Sequence, residues 1–305
     1  MAFKLLVTGA SGFVAGNLLA QASPEWQICA VSRAPSPKLP PNIRWLSADL
    51  SEPGAAAAII GGFRPDAVVH TAAIPDIDYC QAHRDEALRV NTGLTREVAH
   101  AAAGAGIRLV HCSTDNVFDG AKGMYAEGDP VGPVNFYGET KVLAEEAVRA
   151  SQENAVVARV AIVMGLPQPG TKGAFFLTRM AKSIREGRPV ETPANEIRTP
   201  VDAVSLGRAL LELAANTFTG TMHLSGSERL NRVEMMRKIC ARLGFSPDLV
   251  RANDPTTIPG RADRPLDVSL DNRLASAVLD TPLPGVLEGL ELVLAENGGT
   301  LEQKT

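Results

Sequence analysis

Tyr137 and Lys141, four residues apart, are the side chains of this sequence best suited to moving a proton at a carbonyl group. The segment around them has the pattern of a helix, in which a spacing of four places two side chains on one face. A phenol is a weak acid, with a reference pKa of about 10, and a neighbouring ammonium lowers that pKa because it favours the phenolate. We therefore expect Tyr137 to protonate the alkoxide that forms when hydride reaches a carbonyl carbon. Lys141 would also hold the ribose hydroxyls of a nicotinamide cofactor.

Two hydroxyl residues, Ser113 and Thr114, end the predicted strand that precedes this helix. Open α/β sheets bind ligands at the carboxyl ends of their strands, so either hydroxyl is placed to orient a substrate carbonyl. A Tyr–Lys spacing of four is common by chance on amphipathic helices. A hydroxyl, a tyrosine and a lysine in this order, each at its expected place, favour an oxidoreductase site. We interpret His70, His111 and Cys112, in or beside buried strands, as core residues.

A Gly-rich segment, residues 8–16, follows the first predicted strand and opens the first predicted helix. Gly9 can make the tight turn, and Gly12 lets the backbone approach a pyrophosphate at the N–H groups of the helix N-terminus. A lone motif of this kind is weak evidence, but the strand before it and the helix after it are the context that dinucleotide binding requires. The predicted cofactor contacts in this segment are Gly9, Ser11, Gly12, Phe13 and Val14.

The ends of the second and third strands indicate which dinucleotide binds. NAD is usually held by an acidic residue at the end of the second strand, whereas the 2′-phosphate of NADP needs a cation there. The sequence has Ser32 and Arg33 at that point and no acid, and a guanidinium pairs well with phosphate. NADP(H) is therefore favoured, with NAD(H) as the alternative. Asp49 and Leu50, after the third strand, are predicted to contact the adenine, although Asp49 could instead begin a helix.

Short apolar runs alternate with helical patterns through the first half of the chain. The predicted strands cover residues 3–7, 27–32, 43–47, 67–71, 107–113 and 156–162, and the predicted helices cover 13–21, 53–61, 85–103 and 136–150. Such alternation implies right-handed βαβ units and a parallel sheet. The expected fold class is α/β, a Rossmann doubly wound parallel sheet with a smaller C-terminal substrate lobe.

The smaller lobe is predicted from the second half of the chain. Residues 165–173 are rich in Gly and Pro and interrupt the alternation, as a domain boundary does. Beyond them, helical patterns cover 175–186, 202–215, 232–243 and 285–295, with a strand at 221–225. We expect a dinucleotide-binding domain at 1–164 and a mainly substrate-binding lobe at 165–305, with part of 200–225 returning to the main sheet.

Composition and charge exclude several classes of function. The net charge of −4 and a pI of about 5.8 give no electrostatic case for nucleic acid or an anionic membrane as partner. The four cysteines are scattered, so neither a disulfide framework nor a metal site is predicted. The N-terminus lacks the pattern of a signal peptide and the longest apolar run is too short to span a bilayer, which predicts a cytoplasmic protein. A homodimer is the oligomer left open.

Several segments carry a family signature. Residues 113–120 read STDNVFDG, and residues 133–138 read PVNFYG. Residues 65–73, PDAVVHTAA, and looser matches at 198–201 and 264–271 extend the pattern over almost the whole chain. Together they resemble the extended short-chain dehydrogenase/reductase superfamily and, within it, the dTDP-4-dehydrorhamnose reductases, whose corresponding signature is STDYVFDG.

The resemblance implies a role for individual residues. The triad would be Thr114, Tyr137 and Lys141, and the cofactor would be lined by Ala72, Ala73 and Asn91. The predicted substrate contacts are Ser113, Asn116, Arg198 and Arg264, the arginines because a planar guanidinium suits a diphosphate, although each could instead be a surface ion-pair partner. Asn116 replaces the family's tyrosine, so the resemblance does not name the sugar. The implied activity is NAD(P)H-dependent reduction of a keto group on a nucleotide-linked deoxysugar.

Similar proteins have three other functions, which are the alternatives to this reduction. Sugar-nucleotide dehydratases place an Asp-Glu pair after the threonine, whereas Asp115 is followed here by Asn116, which cannot transfer a proton. Epimerases need only the triad and a retained NAD, and Arg33 argues against them. A regulatory subunit similar to the methionine adenosyltransferase beta subunit would keep the cofactor fold without using the triad.

Overall fold

The structure, a computed structural model, describes residues 2–171, 176–255 and 258–300. The strands are, in chain order, β1 (Lys4–Thr8), β2 (Gln27–Ser32), β3 (Ile43–Ser47), β4 (Ala67–His70), β5 (Arg108–Thr114), β6 (Ala155–Val160), β7 (Val163–Met164), β8 (Val190–Pro193), β9 (Ile197–Arg198), β10 (Val201–Asp202), β11 (Gly220–Leu224), β12 (Leu230–Asn231) and β13 (Val250–Asn253). Seven of them form one parallel sheet in the order β11-β6-β5-β4-β1-β2-β3. The prediction of a Rossmann-type parallel sheet is confirmed.

The helices connect and cover these strands. They are α1 (Phe13–Gln21), α2 (Ala55–Phe63), α3 (Ile77–Ala82), α4 (Arg84–Ala87), α5 (Leu94–Gly104), α6 (Phe136–Ser151), α7 (Phe176–Arg185), α8 (Ala203–Ala215), α9 (Arg232–Arg242), α10 (Arg273–Val278) and α11 (Val286–Glu296). None of the helices in the described ranges combines the length and apolar character needed to cross a bilayer.

The sheet has one point at which strand order changes direction. From β1 the chain proceeds outward to β2 and β3, and it then returns to place β4 on the other side of β1. The connections that follow β1 and β4 therefore lead to helices on opposite faces of the sheet, α1 and α5. The crevice at the carboxyl ends of two such strands is where open α/β sheets bind ligands. The glycine turn after β1 and the loop after β4 lie at this point.

A hydrophobic core covers each face of the sheet. On one face, α1 and α8 pack together so closely that a Cβ on Gly207 would lie 3.1 Å from the Asn17 carbonyl oxygen and from the Leu18 Cα. On the other face, side chains of α2 and α5, joined by Val148 of α6, pack on the strands. β11, from the second half of the chain, completes the sheet beside β6.

The second half of the chain also has a core of its own. It is formed by α7, α9 and α11 together with residues of β7 and β13, and includes Met180, Ile239 and Leu290, each at most 1% exposed. This separate core supports the division into two lobes at residue 165, which stays a prediction. The last two residues of the predicted boundary loop, 172 and 173, lie outside the described residues. So does residue 175, where the next helix is predicted to begin.

The predicted helix at 85–103 is the largest departure from expectation in the first half. The structure has instead the short α4, a π-helix at Leu88–Gly93 and then α5. The wider turn of a π-helix changes the direction of the side chains that follow it, and it often occurs at functional sites. Asn91, inside the π-helix, is fully buried as a result.

Candidate active site

The turn after β1 approaches the loop after β4 so closely that it excludes a side chain. Gly9 has φ = 70°, and a Cβ there would lie 2.7 Å from the backbone N and Cα of Ala72. Gly12 caps α1 with extended backbone, and as a glycine it has no side chain that could accept from the amides of the first turn. The N-terminus of a helix can bind phosphate. The residues present therefore fit the pyrophosphate of a dinucleotide.

The other predicted contacts of this segment surround the turn. The Ser32 hydroxyl donates to the Ser11 hydroxyl at 2.8 Å, which links the turn to the end of β2. Val14 is half-buried against the core of the α1 face, and Leu50 is buried in the core of the opposite face. Phe13 lines a cavity that is described below. Leu50 is thus a packing residue, and its predicted contact with the adenine of the cofactor stays a prediction.

Arg33 and Asp49 face each other where β2 and β3 end. The guanidinium of Arg33 lies 4.0 Å from Asp49 Oδ2, with the Arg33 side chain 71% exposed. The backbone N and hydroxyl of Ser51 both donate to Asp49 Oδ1, at 2.9 and 2.7 Å, and these hydrogen bonds lower the pKa of Asp49. Arg33 is therefore an exposed cation at the surface, available to a phosphate, and Asp49 stabilises the turn that follows β3.

Tyr137 lies in the first turn of α6. Asn135 begins that helix, since its Oδ1 accepts a hydrogen bond from the Gly138 backbone N at 2.9 Å. Tyr137 is 9% exposed, and burial raises the pKa of its phenol, which a hydrogen bond with Thr114 opposes. The expected lowering of this pKa is outweighed by burial. Tyr137 is consequently protonated at neutral pH, the form that a proton donor needs.

Lys141, one turn further along α6, is 2% exposed. Its Nζ donates to the Cys112 carbonyl at 2.6 Å and lies 3.1 Å from Nε2 of His111. Burial lowers the pKa of Lys141 to about 8, against the opposing effects of Cys112 and Glu145. The ammonium is thus held on β5, directly below the strand's carboxyl end.

Thr114, the last residue of β5, is 6% exposed and lies at the centre of a small polar cluster. Its hydroxyl donates to Asp115 Oδ1 at 3.1 Å and accepts from the Asn116 backbone N at 3.2 Å. The Asn116 side-chain amide donates to Asp115 Oδ1 at 2.8 Å. Burial raises the pKa of Asp115, while the nearby Arg198 opposes that shift. The structure therefore brings Thr114, Asn116, Tyr137 and Lys141 to one edge of the sheet.

Ser113 points away from that cluster. It is 6% exposed, and its hydroxyl donates to Glu145 Oε1 at 2.6 Å. Glu145 also accepts from Arg159 Nε and Nη2, at 3.0 and 2.9 Å. This buried network ties α6 to β5 and β6, and it already uses the hydroxyl of Ser113. Of the two hydroxyls considered for the substrate carbonyl, Thr114 has the better placement.

Asn91 acts through the backbone of its neighbours. Its amide accepts from the Ile74 backbone N at 2.7 Å and donates to the Ile74 carbonyl at 3.1 Å. The same amide donates to the Thr140 hydroxyl at 3.1 Å. Asn91 therefore fixes the loop that carries Ala72 and Ala73 against the catalytic helix α6. Its full burial makes it a positioning residue for the predicted cofactor site.

The two arginines predicted for the substrate diphosphate are engaged elsewhere in the structure. Arg198 is 5% exposed; its guanidinium donates to the carbonyls of Ile197, Leu266 and Pro265 at 2.7–3.0 Å. Arg264 donates to Asp78 Oδ2 at 2.9 Å. Arg198 Nε also lies 3.9 Å from Asp115 Oδ2. Except for the contact with Ile197, these contacts connect segments that are distant in the chain, which the sequence could not show.

A cavity of about 410 Å³ in the C-terminal lobe contains the arginines that the sequence analysis missed. It is lined by Arg179, Arg232 and Arg261, with Glu196 between the last two. Arg232 lies 3.7 Å from Glu196, and its Nε has no hydrogen-bond partner among the described residues. Burial and the neighbouring arginines lower the pKa of Arg232, so an anion in the cavity would be stabilised.

A second cavity, of about 260 Å³, extends from the first toward the glycine turn. Both are lined by Phe176, Arg179 and Arg232, and the second also by Phe13 and Gly165. The cavities therefore form one path from the N-terminus of α1 to the arginines of the C-terminal lobe. No signal in the sequence could identify this path, because its walls come from segments far apart in the chain.

The fold, with its seven-stranded parallel sheet, is that of the extended short-chain dehydrogenases/reductases. Within that class the chain belongs to the RmlD substrate binding domain family, which matches residues 3–298.

Three known proteins illustrate the relationship. The chain is 32% identical to a dTDP-4-dehydrorhamnose reductase of Sinorhizobium fredii over 73% of each chain. It is 28% identical to methionine adenosyltransferase 2 subunit beta of Rattus norvegicus over 88% of this chain and 80% of that one. The solved structure of dTDP-4-dehydrorhamnose reductase from Bacillus anthracis in complex with NADP superposes with a TM-score of 0.85 at 23% identity, covering 97% of this chain and 100% of that one.

Proposed function

We propose that this chain is an NADP(H)-dependent oxidoreductase that reduces the keto group of a nucleotide-linked deoxysugar, with a dTDP-4-dehydrorhamnose-like substrate. The observation that carries the proposal is the placement of Thr114, Tyr137 and Lys141 at the sheet edge that faces the glycine turn. The family membership and the name of the Sinorhizobium fredii relative support the same reaction.

The three residues would divide the work at a substrate carbonyl. The Thr114 hydroxyl would donate a hydrogen bond that orients the carbonyl oxygen. Tyr137, protonated because it is buried, transfers its hydroxyl proton to that oxygen. Lys141 would stabilise the phenolate that remains, because the attraction between its ammonium and the phenolate is stronger in a site with little water than in bulk solvent.

The cofactor would bind across the crevice between β1 and β4. Nicotinamide chemistry supplies the hydride that converts the carbonyl carbon to an alcohol carbon. The chain contributes the glycine turn at Gly9 and Gly12 for the pyrophosphate, and Ser11, Ser32 and Arg33 for a 2′-phosphate. Ala72 and Ala73, held by Asn91, would leave room for the cofactor beside β4.

The substrate would extend from Thr114 into the C-terminal lobe. Arg179, Arg232 and Arg261 present three guanidinium groups to a cavity that also has two carboxylates, Glu191 and Glu196. Glu196 is paired with Arg232 and Arg261. The excess positive charge suits the diphosphate of a nucleotide sugar. We assign the diphosphate to these three arginines in place of Arg198 and Arg264.

An assay of NADPH oxidation with the purified protein tests the proposal. Addition of dTDP-4-dehydrorhamnose, freshly generated, is expected to oxidise NADPH in stoichiometric amount and to yield a dTDP-deoxysugar with a hydroxyl in place of the ketone. UDP-glucose, which has no ketone, is the control. Tight NADP binding without turnover of any 4-keto nucleotide sugar would contradict the proposal.

That contrary result would favour a subunit that binds the cofactor without using the triad, in the manner expected from the likeness to methionine adenosyltransferase 2 subunit beta of Rattus norvegicus. An epimerase would release substrate isomers without net consumption of NADPH, so the same assay distinguishes it. A cytoplasmic location and a homodimer stay predictions from the sequence.

A further inference from the structure

A pair of stacked histidines lies behind the catalytic lysine. His70 of β4 and His111 of β5 are buried, with ring centroids 5.4 Å apart and an interplanar angle of 25°. His111 Nε2 lies 3.1 Å from Nζ of Lys141. From their positions in the sequence both rings are interpreted as core residues, and the proposed proton transfer uses neither of them.

The hydrogen bonds of His70 determine which of its nitrogens carries the hydrogen. Its Nε2 lies 3.0 Å from the Thr95 hydroxyl, and that hydroxyl donates its hydrogen to the Asn91 carbonyl at 2.7 Å. Thr95 can therefore only accept from His70, so the hydrogen is on Nε2. Nδ1 accepts from the Thr8 hydroxyl at 2.7 Å. The ring is neutral, and burial lowers the pKa of His70 to about 3.

The contact with Lys141 determines which ring nitrogen of His111 carries the hydrogen. Its Nδ1 is buried and has no hydrogen-bond partner among the described residues, so the contact at Nε2 decides its tautomer. An ammonium only donates hydrogen bonds, and Nζ already donates to the Cys112 carbonyl. A charged Lys141 therefore needs a lone pair on Nε2, which places the His111 hydrogen on Nδ1. The two stacked rings then carry their hydrogens on different nitrogens.

We propose that His111 is a positioning residue: as a neutral acceptor it keeps Lys141 protonated and fixed on β5, and it thereby sets the upper pH limit of the reaction. The second part rests on the proposed function, whereas the first concerns the protein alone. Without this acceptor, the Cys112 carbonyl would be the only hydrogen-bond acceptor of Lys141 among the described residues.

The other charged and titratable groups near this pair do not replace His111. Glu145 of α6 faces Lys141, but Arg159 and Arg149 already engage its carboxylate. Cys112 of β5 is a partly buried thiol, and desolvation keeps it protonated by raising its pKa. Around His111, the charges of Lys141 and Arg149 and the ring of His70 all lower its pKa in the same direction as burial. His111 is therefore uncharged, as its acceptor role requires.

Nitrogen NMR of the imidazole rings tests the first part without any substrate. The chain has five histidines, so His111→Gln and His70→Gln variants assign the two signals in protein labelled at the imidazole nitrogens. At pH 7 we expect His111 to show an unprotonated Nε2 and His70 an unprotonated Nδ1. A His111 ring that is charged, or that carries its hydrogen on Nε2, would overturn the inference whether or not the enzyme turns over.

Kinetics of matched variants test the second part. In His111→Gln the side-chain carbonyl can still accept from Lys141, whereas in His111→Leu no acceptor remains. In His111→Leu we expect the pH at which kcat falls on the alkaline side to decrease by about one unit, which corresponds to a tenfold change in the ionisation constant of Lys141. In His111→Gln that pH should stay near the wild-type value. Equal pH profiles in folded preparations of all three proteins would contradict this role. If His111→Leu does not fold, the tautomer measured by NMR decides the inference.

Discussion

Gly138 and Asn116 are in contact at a point where no side chain fits. A Cβ on Gly138 would overlap the carbonyl oxygen of Asn116 and would lie 2.6 Å from Cβ of Pro133. The contact joins the first turn of α6, which carries Tyr137, to the turn that follows Thr114. The relative position of the proton donor and the orienting hydroxyl therefore depends on the absence of a side chain at residue 138.

Gly138→Ala is expected to displace α6 from the turn after β5. Overpacking against backbone atoms costs about 1–3 kcal/mol, so the free energy of unfolding should fall by that amount and kcat should fall at least tenfold. Denaturant titration and the NADPH assay measure the two effects. Gly62→Ala in α2 is the matched control, because nothing lies within 4 Å of its added Cβ, and it should be neutral or stabilising. Wild-type kcat in Gly138→Ala would show that this contact does not position the site.

Arg33→Ala should weaken NADPH binding and leave NADH binding nearly unchanged. A charge-assisted hydrogen bond contributes about 1.5–3 kcal/mol, which corresponds to a loss of at least tenfold in NADPH affinity. Fluorescence titration of both cofactors measures the ratio. Arg188→Ala removes a similarly exposed positive charge outside the predicted cofactor site and serves as the control. An unchanged NADPH to NADH ratio in Arg33→Ala would remove Arg33 from the cofactor site.

Arg179→Gln should raise the KM for a nucleotide sugar while changing kcat little. The residue is exposed and lines both cavities, so its replacement removes one contact with the diphosphate without disturbing a core. We expect KM to rise about tenfold, as for loss of one charged hydrogen bond. Arg264→Gln, which loses the contact with Asp78, should change KM less. The reverse order of effects would return the diphosphate to Arg264.

The rate of reduction should depend on pH through Lys141. Its pKa is lowered by burial to about 8, so the ammonium is present below that pH and is lost above it. Since the phenolate of Tyr137 needs this charge, kcat should be nearly constant from pH 6 to 7 and should decline above about pH 8. A profile measured under saturating cofactor and substrate checks the limit. A rate that keeps rising through pH 9 would contradict the role of the charged lysine.

Local patterns in the sequence were sufficient for the elements and the residues that act close to their own strand or helix. Gly9, Thr114 and Tyr137 each lie where a strand ends or a helix begins, so their positions in the chain indicate their positions in the fold. The π-helix at Leu88–Gly93 could not be predicted, because it is stabilised by contacts of Asn91 and Thr92 with residue 140, which is distant in the chain.

The arginines show most clearly what could not be predicted from the sequence. Arg198 and Arg232 are indistinguishable by residue type, yet carbonyl oxygens surround the guanidinium of the first and a cavity borders that of the second. Burial and tertiary contacts make the difference, and neither is visible in local sequence. The same reasoning applies to His111, whose contact with Lys141 depends on the packing of α6 against β5.

Tyr137→Phe tests the central claim most directly, since it removes one hydroxyl and keeps the ring. NADPH oxidation with a 4-keto nucleotide sugar is measured under single-turnover conditions, together with the affinity for NADPH. The proposed function predicts a loss of at least a hundredfold in the rate, with NADPH affinity within about threefold of wild type. A rate equal to that of the wild type would contradict Tyr137 as the proton donor.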